Sequence, residues 1–272
     1  MIGRRGITIA LSAACVTGGA LLAATTMAGP DKIAFPEGFE RGVLYATVDR
    51  HDIKQYRELY STPEAVKAVR EGRPIPSGTV LTLVQYQAQT DAEGKPLKGA
   101  DGKFVKGKLL GYTVMEKRQG WGAEYPAEWR NGEWEYAAFT VDKKPNEKAN
   151  ANTKNCFVCH KPHERQDFVM SLASLSGKSP TGAAMKPSGP SSVAIAEFLF
   201  GPQKMMVKQG QTITWTNVDD SPHQVTVHGQ TEYRSPVLLK GQTTSLTFAH
   251  VGTYDYICGL HPGMKGSVEV TQ

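Results

Sequence analysis

Apolar and polar residues alternate with the period of β-strands in two separate parts of the chain. In the first part, residues 79–87 (TVLTLVQYQ), 104–116 and 134–141 (WEYAAFTV) are rich in β-branched and aromatic side chains and are separated by polar loops. In the second part, Ile213 and Trp215 alternate with threonines. Such runs between turn-forming residues predict β-strands. We therefore predict a mainly β protein.

Helical signals are few, and they are confined to short segments. The sequence Thr62-Pro63-Glu64 predicts the start of one helix, since these residue types are favoured at a helix N-terminus, and Gly72 predicts its end. The fold prediction is an antiparallel sheet with short helices over residues 31–170, followed by a small β-sandwich over residues 191–272. Residues 171–190 are rich in Ser, Gly, Pro and Ala, so we predict a flexible linker between two domains.

The first 28 residues have the pattern of a secretory signal peptide. Arg4 and Arg5 precede an apolar stretch that begins at Ile7, and small residues around Ala28 form a cleavage site. The two arginines are also a hint of twin-arginine export. We predict a periplasmic protein. An uncleaved membrane anchor is the alternative, although Thr, Ser and Gly interrupt the apolar stretch.

Charge and cysteine content narrow the class of protein further. The formal net charge is +5 with no basic run, so we expect no nucleic-acid partner. Beyond the signal region only Cys156, Cys159 and Cys258 remain. Three cysteines in an exported chain of this length do not make a disulfide framework, so each is expected to have chemical work of its own.

The stretch NCFVCHKPH contains Cys156, Cys159 and His160 in the spacing of c-type haem attachment. Two thiols one helical turn apart can form thioethers with one porphyrin, and the adjacent histidine then ligates the iron. A zinc site would need two more ligands, of which His163 could supply one. A redox dithiol would be expected in a βαβ context, which this half lacks. We predict one covalent haem c, with His163 as an exposed polar residue.

The last third of the chain offers a second set of metal ligands. His223 lies in the stretch DDSPHQ, and Cys258, His261 and Met264 follow within the stretch YICGLHPGMK. Two histidines, one thiolate and one methionine are the ligands of a blue, type 1 copper that transfers electrons. The alternative is a buried free cysteine beside unrelated histidines. We predict one type 1 copper.

Residues 33–172 resemble the cytochrome P-460 family, which includes the cytochromes c′-beta. The resemblance rests on FPEGFERGVLYATVDR, YRELYSTPEA, PIPSGTVLTLV, EKRQGWGAEYPAEWRNGEWEYAAF, CFVCH and DFVMS. It implies a β-rich homodimer with a five-coordinate haem c that is open on one side. Members that oxidise hydroxylamine carry a haem-linked lysine where this chain has Leu83, which favours a pocket for a small ligand such as nitric oxide. Arg57 aligns with a family arginine near the haem edge, and a surface ion pair with Glu58 or Glu64 is its alternative role.

Residues 191–271 resemble the cupredoxins, with a ligand loop similar to that of amicyanin. The resemblance implies a copper centre that exchanges electrons with a redox partner protein. We expect the two domains to dock through an apolar edge of the ligand loop formed by Leu260, Pro262 and Met264. The function expected from the sequence is periplasmic haem–copper electron transfer with a gaseous or nitrogen-oxide ligand at the haem. The alternatives are a hydroxylamine-oxidising enzyme and a gas-binding trap or sensor without turnover.

Overall fold

A computed structural model describes residues 29–178, 189–229 and 232–272 of the 272-residue chain. The predicted signal peptide and residues 179–188, half of the predicted linker, lie outside the described residues. Within the described residues, no helix is both long enough and apolar enough to span a membrane.

The first domain is built on one five-stranded sheet. Its neighbouring strands are all antiparallel and follow the chain order, as predicted. The strands are β1 (Val43–Arg50), β2 (Gln55–Ser61), β3 (Val80–Ala88), β4 (Lys106–Lys117) and β5 (Trp134–Phe139). Strands β3 to β5 coincide with the three apolar runs of the sequence. The hairpin of β1 and β2 adds two strands that the sequence patterns did not identify.

Side chains alternate between the two faces of this sheet, and each face has its own apolar core. One face packs around Phe35, Tyr112 and Phe139. The opposite face packs around Leu81, Met115, Tyr136 and Phe157, and therefore receives the helix that carries the two cysteines. This second face is called the helix-side face below.

Four short α-helices accompany the sheet. They are α1 (Pro63–Arg70), α2 (Glu147–Asn150), α3 (Lys154–His160) and α4 (Leu172–Leu175), and a 3-10 helix, Lys161–Gln166, follows α3. Helix α1 starts and stops close to the predicted residues. Thr62 precedes it without a side-chain bond to the helix, and Gly72 ends it with a positive φ of 73°.

Helix α4 lies in the segment predicted from composition to be a flexible linker. Leu175 is fully buried, and Ser171 is hydrogen-bonded to Tyr45 of β1 through their hydroxyl groups at 2.9 Å. Residues 171–178 thus pack on the first domain, since their two leucines find an apolar surface there. Composition alone does not register that contact.

The second domain is the predicted β-sandwich. One sheet has the order β11-β10-β13-β14-β8 and the other the order β12-β9-β6-β7. The strands are β6 (Ser192–Ala196), β7 (Leu199–Gly201), β8 (Lys204–Lys208), β9 (Thr212–Asn217), β10 (Val225–His228), β11 (Tyr233–Arg234), β12 (Thr243–Thr247), β13 (Gly252–Cys258) and β14 (Lys265–Thr271). Trp215, Tyr256 and Val268 lie between the sheets and are fully buried.

Candidate metal centres

Helix α3 presents the haem-attachment motif on the helix-side face of the first sheet. Asn131 is buried, and its amide donates to the Phe157 carbonyl at 2.9 Å and to the Tyr136 hydroxyl at 3.0 Å, which fastens α3 to β5. The cysteines of the described residues are all free thiols. Burial raises the pKa of Cys156 to about 11, so this thiol is protonated at neutral pH.

His160 is held in the orientation of a metal ligand. Its Nδ1 lies 2.7 Å from the Phe168 carbonyl, so that nitrogen carries the proton and Nε2 remains free for iron. Burial lowers the pKa of His160 to about 4, which keeps the imidazole neutral at physiological pH. Neutral, oriented imidazole is the form that ligates haem iron.

A strained turn delivers the carbonyl that orients His160. Asp167 and Phe168 both have positive φ angles, 50° and 61°, which are uncommon for residues with side chains. The Asp167 carboxylate accepts hydrogen bonds from Lys117 at 2.6 Å and from the Trp134 indole at 3.3 Å. Strain of this kind persists where surrounding contacts fix the conformation, and it concentrates at functional sites.

The helix-side face also supplies an apolar wall. Strand register aligns Leu59, Leu83 and Thr113 in one row, next to the row of Leu81, Met115 and Tyr136. Leu59 and Leu83 are half-buried, although their neighbours Leu81 and Tyr136 are buried. An apolar surface beside two free thiols and an oriented histidine fits a haem.

Arg57 projects from β2 on the same face. Its Nε and Nη2 donate to the Gln55 side-chain oxygen at 3.1 and 2.9 Å, and it forms no ion pair with Glu58 or Glu64 among the described residues. Burial, aided by repulsion from Arg50, lowers its pKa to about 9. The surface ion pair considered from the sequence is therefore absent from the described contacts, and the role near the haem edge remains a prediction.

Three of the predicted copper ligands meet at one end of the sandwich. The Cys258 Sγ lies 3.6 Å from the Nδ1 atoms of both His223 and His261, and the two Nδ1 atoms are 3.3 Å apart. Cys258 ends β13 opposite Val225, which brings it beside His223 despite the sequence separation. Met264 is fully buried in the same core, and its amide donates to the His261 carbonyl at 2.9 Å. This set of side chains fits type 1 copper.

The environment of Cys258 favours its thiolate. Burial by itself would raise the pKa, but hydrogen bonds from His223 and His261 and from backbone amides outweigh burial and lower it to about 5. One of these amides is that of Gln224, 3.4 Å from the sulfur. A thiolate is the form of cysteine that binds metal.

Asp219 supports this cluster although it is not a ligand. One of its oxygens lies 2.9 Å from Nε2 of His223, which leaves Nδ1 of that ring directed at Cys258. The same carboxylate accepts hydrogen bonds from the amides of Glu197 and Phe198 at 2.6 and 3.0 Å. It therefore connects His223, a candidate copper ligand, to the turn between β6 and β7.

Each domain of the chain matches the model of a known protein family. The family model for cytochrome P460 matches residues 36–171, which is half of the chain. The chain belongs to the cytochrome P460 family. The model for copper binding proteins of the plastocyanin/azurin family matches residues 190–271, so this family member carries a cupredoxin domain as its second part.

The similar proteins support the second domain in particular. Amicyanin from Paracoccus denitrificans is 39% identical over 102 residues, covering 36% of this chain and 78% of that protein. Amicyanin-alpha from Methylorubrum extorquens is 40% identical over 88 residues, covering 31% and 74% respectively. A solved structure of an oxidized amicyanin variant is 39% identical, covers 29% of this chain and 80% of its own, and has a TM-score of 0.28.

Several details of this P460-family chain differ from the sequence expectations. His163 is 2% exposed, so its prediction as an exposed residue is wrong, because the 3-10 helix turns back onto the domain. Met264 is buried and does not belong to an exposed edge, whereas Leu260 is 41% exposed and Pro262 is exposed. Sequence reasoning missed the supporting roles of Phe168, Asn131 and Asp219, since each acts through a contact distant in the chain.

Proposed function

We propose that this P460-family chain is an exported haem–copper electron-transfer protein. In this proposal one haem c is attached through Cys156 and Cys159 with His160 as iron ligand, and one type 1 copper is held by His223, Cys258, His261 and Met264. The observation that supports this proposal most directly is the presence of two such sites in one chain. The oriented imidazole of His160 follows two free thiols in α3, and the side chains of His223, Cys258 and His261 form a compact triangle in the second domain. When bound, the haem supplies an iron position for a small ligand and the copper supplies one-electron exchange.

The residues of the first domain favour binding of a small, uncharged ligand such as nitric oxide. The side chains of β2 and β3 that share the helix-side face include Leu59, Leu81 and Leu83, and β3 contains no lysine. A leucine at position 83 cannot form the covalent link to haem that the resemblance associates with hydroxylamine oxidation. The apolar side chains of this wall offer no strong ligand that would compete for the iron. This supports nitric oxide or a similar diatomic molecule as the ligand.

Arg57 is the candidate polar group of this pocket. Its guanidinium is largely removed from solvent and has a glutamine rather than a carboxylate as partner. A guanidinium without an anionic partner is available to a haem carboxylate or to a polar iron-bound ligand. We propose that Arg57 contributes a hydrogen bond at the haem edge.

The second domain is proposed to exchange electrons with a partner protein. Leu260 and Pro262 are exposed on the ligand loop on either side of His261. Exposed apolar residues next to a metal ligand suit a transient redox encounter, since such interfaces are small. The periplasmic location and a homodimer formed through the first domain belong to the same proposal.

Optical spectra of the exported, copper-loaded protein test this function. We expect an ordinary haem c Soret band that shifts with nitric oxide, and a blue thiolate–copper band that bleaches on reduction. A Cys258→Ser variant should lose only the blue band, and a Cys156→Ala/Cys159→Ala variant should lose covalent haem. A strongly red-shifted reduced Soret band would instead indicate a cross-linked haem and make hydroxylamine oxidation the leading function. A haem that binds nitric oxide but never exchanges electrons with the copper would support the trap or sensor.

A further inference from the structure

The two domains touch at the copper-ligand end of the sandwich. Arg50, the last residue of β1, places its guanidinium carbon 3.8 Å from the centre of the Phe198 ring. Phe198 in turn meets both candidate copper histidines edge to face, with ring centres 5.3 Å from His223 and 4.9 Å from His261. One aromatic ring therefore lies between a cation of the haem domain and two metal ligands of the cupredoxin domain.

The turn that carries Phe198 is built for this position. Glu197 and Phe198 have φ angles of 49° and 57°, a left-handed backbone conformation that residues other than glycine rarely adopt. The Asp219 carboxylate holds both of their amides and also one nitrogen of His223. The turn and the copper ligand are thus fixed to the same anchor, and the ring cannot move independently of the metal site.

Arg50 is equally constrained on its own side. It makes two parallel hydrogen bonds to the Asp52 carboxylate, at 2.8 and 2.7 Å. The backbone carbonyl of Asp52 lies so close to the ligand loop that a Cβ added at Gly263 would be 2.5 Å from it.

Further contacts flank this centre and resist rotation of the domains. Lys103 of the haem domain donates to Glu197 at 3.0 Å. Val48 of β1 packs against the apolar core of the sandwich. On the other flank, the Ser174 hydroxyl of α4 lies 3.5 Å from Asp220. Charged, apolar and polar contacts around one stacked pair describe a specific docking surface.

We propose that Arg50 and Phe198 are positioning residues that hold the copper-ligand face against the haem domain of the same chain. The pair sets the separation and orientation of the two metal sites and so governs electron exchange between them. Leu260 and Pro262 remain free for an external partner. This inference rests on the proposed function for its redox part, whereas the docking itself does not require either metal.

The first experiment measures docking without copper. Amide hydrogen exchange of the copper-free full chain is compared for the native protein, Phe198→Leu, Phe198→Tyr and Arg50→Lys. We expect about tenfold faster exchange of amides in the 48–54 and 197–198 segments for Phe198→Leu and Arg50→Lys. Phe198→Leu removes the aromatic ring, and Arg50→Lys removes the planar guanidinium with its paired hydrogen bonds to Asp52. Phe198→Tyr keeps the ring and should exchange as the native protein does. Equal protection in all four proteins would overturn the docking role.

The second experiment measures the electron step in the loaded protein. A photoexcited flavin reductant donates one electron, and transfer of that electron oxidises one centre and reduces the other without breaking a bond. We expect Arg50→Lys to slow this transfer about tenfold, since Lys retains the charge but not the planar stack. The blue band should keep its position, because the described contacts of Arg50 are with Asp52 and Phe198 and not with a proposed copper ligand. Val251→Glu is the matched comparison and should leave the internal rate unchanged, because Val251 is 44% exposed and directly precedes β13, at the end of that strand opposite Cys258.

The two experiments distinguish the positioning role of Arg50 and Phe198 from the proposed haem–copper electron transfer. Slower transfer in Arg50→Lys and native rates in Phe198→Tyr and Val251→Glu would support the positioning role. Native transfer in Arg50→Lys, or equal slowing in Val251→Glu, would overturn it while leaving haem–copper electron transfer intact. Absence of transfer in the native protein, together with normal protection at the contact, would refute the proposed function and leave the docking contact standing.

Discussion

Removal of the Asp219 carboxylate is expected to damage the copper site from outside its ligand set. In Asp219→Ala, three donors lose their acceptor: the amides of Glu197 and Phe198 and the Nε2–H of His223. The side chain of Asp219 is only 15% exposed, so water replaces these bonds incompletely. The turn with two left-handed residues loses its anchor at the same time.

The magnitude follows from the number of unpaired groups. An unsatisfied buried donor costs about 1–3 kcal/mol, and partial solvation places the sum for the three donors near 3 kcal/mol. For a domain of this size, such a loss lowers the melting temperature by more than about 10 °C. Loss of the hydrogen bond between Asp219 and Nε2 of His223 also frees the imidazole ring to turn. This is expected to weaken copper binding by about 10–100-fold.

Two assays check this expectation. Scanning calorimetry of the copper-free protein gives the stability change, and competition with a copper chelator gives the change in affinity. Asp220→Ala is the matched control, because the neighbouring carboxylate forms a partly exposed ion pair with Lys240 at 2.6 Å. Such pairs contribute about 0–1 kcal/mol. Asp219→Asn keeps one acceptor oxygen and should fall between the two variants.

The comparison of the two alanine variants decides whether Asp219 has these two roles. If Asp219→Ala matches Asp220→Ala in both melting temperature and copper affinity, the carboxylate neither stabilises the turn nor orients the ligand. A loss of stability with unchanged copper affinity would retain the anchoring of the turn and remove the link to His223.

Three further predictions concern the haem helix, the domain contact and pH. Asn131→Leu should destabilise the haem domain by about 2–3 kcal/mol and reduce haem incorporation, because the Phe157 carbonyl of α3 and the Tyr136 hydroxyl of β5 lose their hydrogen-bond donor. Denaturant unfolding measures the stability, and the haem-to-protein absorbance ratio measures the incorporation. Unchanged values would contradict the role of Asn131. Gly263→Ala should open the contact with Asp52, since the new Cβ would lie 2.5 Å from a carbonyl oxygen; faster amide exchange at residues 48–54 with the blue band retained is the expected result. The pKa of Cys258 is about 5 in the folded protein, compared with its ordinary value of 9.0, so ionisation of this thiol stabilises the copper-free fold. The contribution is complete above pH 9 and is lost as the pH decreases to 5. The free energy of unfolding measured against pH should show this trend, and Cys258→Ser should abolish it.

Much of the fold could be predicted, and both proposed ligand sets could be assembled, because the relevant information is local. Cys156, Cys159 and His160 fall within one turn and a half of α3, so their spacing alone brings them together. Cys258, His261 and Met264 lie on one short loop after a strand. Strands with strong period-two patterns were recovered for the same reason, since burial on one face of a sheet dictates the alternation.

Features that depend on distant contacts were not accessible in this way. The hairpin of β1 and β2 carries mixed polar residues, because its Arg50 and Asp52 face the other domain and not a conventional apolar core. The sequence around Leu175 is typical of a linker, and only the folded first domain provides the surface that buries this side chain. His163 is polar, and only the return of the 3-10 helix to the domain shows that it is buried.

The sequence by itself determined which atoms could bind metals, because covalent spacing fixes the ligands that share a helix turn or a loop. The tertiary structure alone decided how those atoms are oriented and what surrounds them. The Phe168 carbonyl reaches His160 through a left-handed turn, and Asp219 joins His223 to Phe198. Hydrogen bonds and ring contacts of this kind act over a few ångströms of space and are indifferent to separation along the chain. The contact of Arg50 with Phe198 therefore emerges only when two domains are folded and placed together.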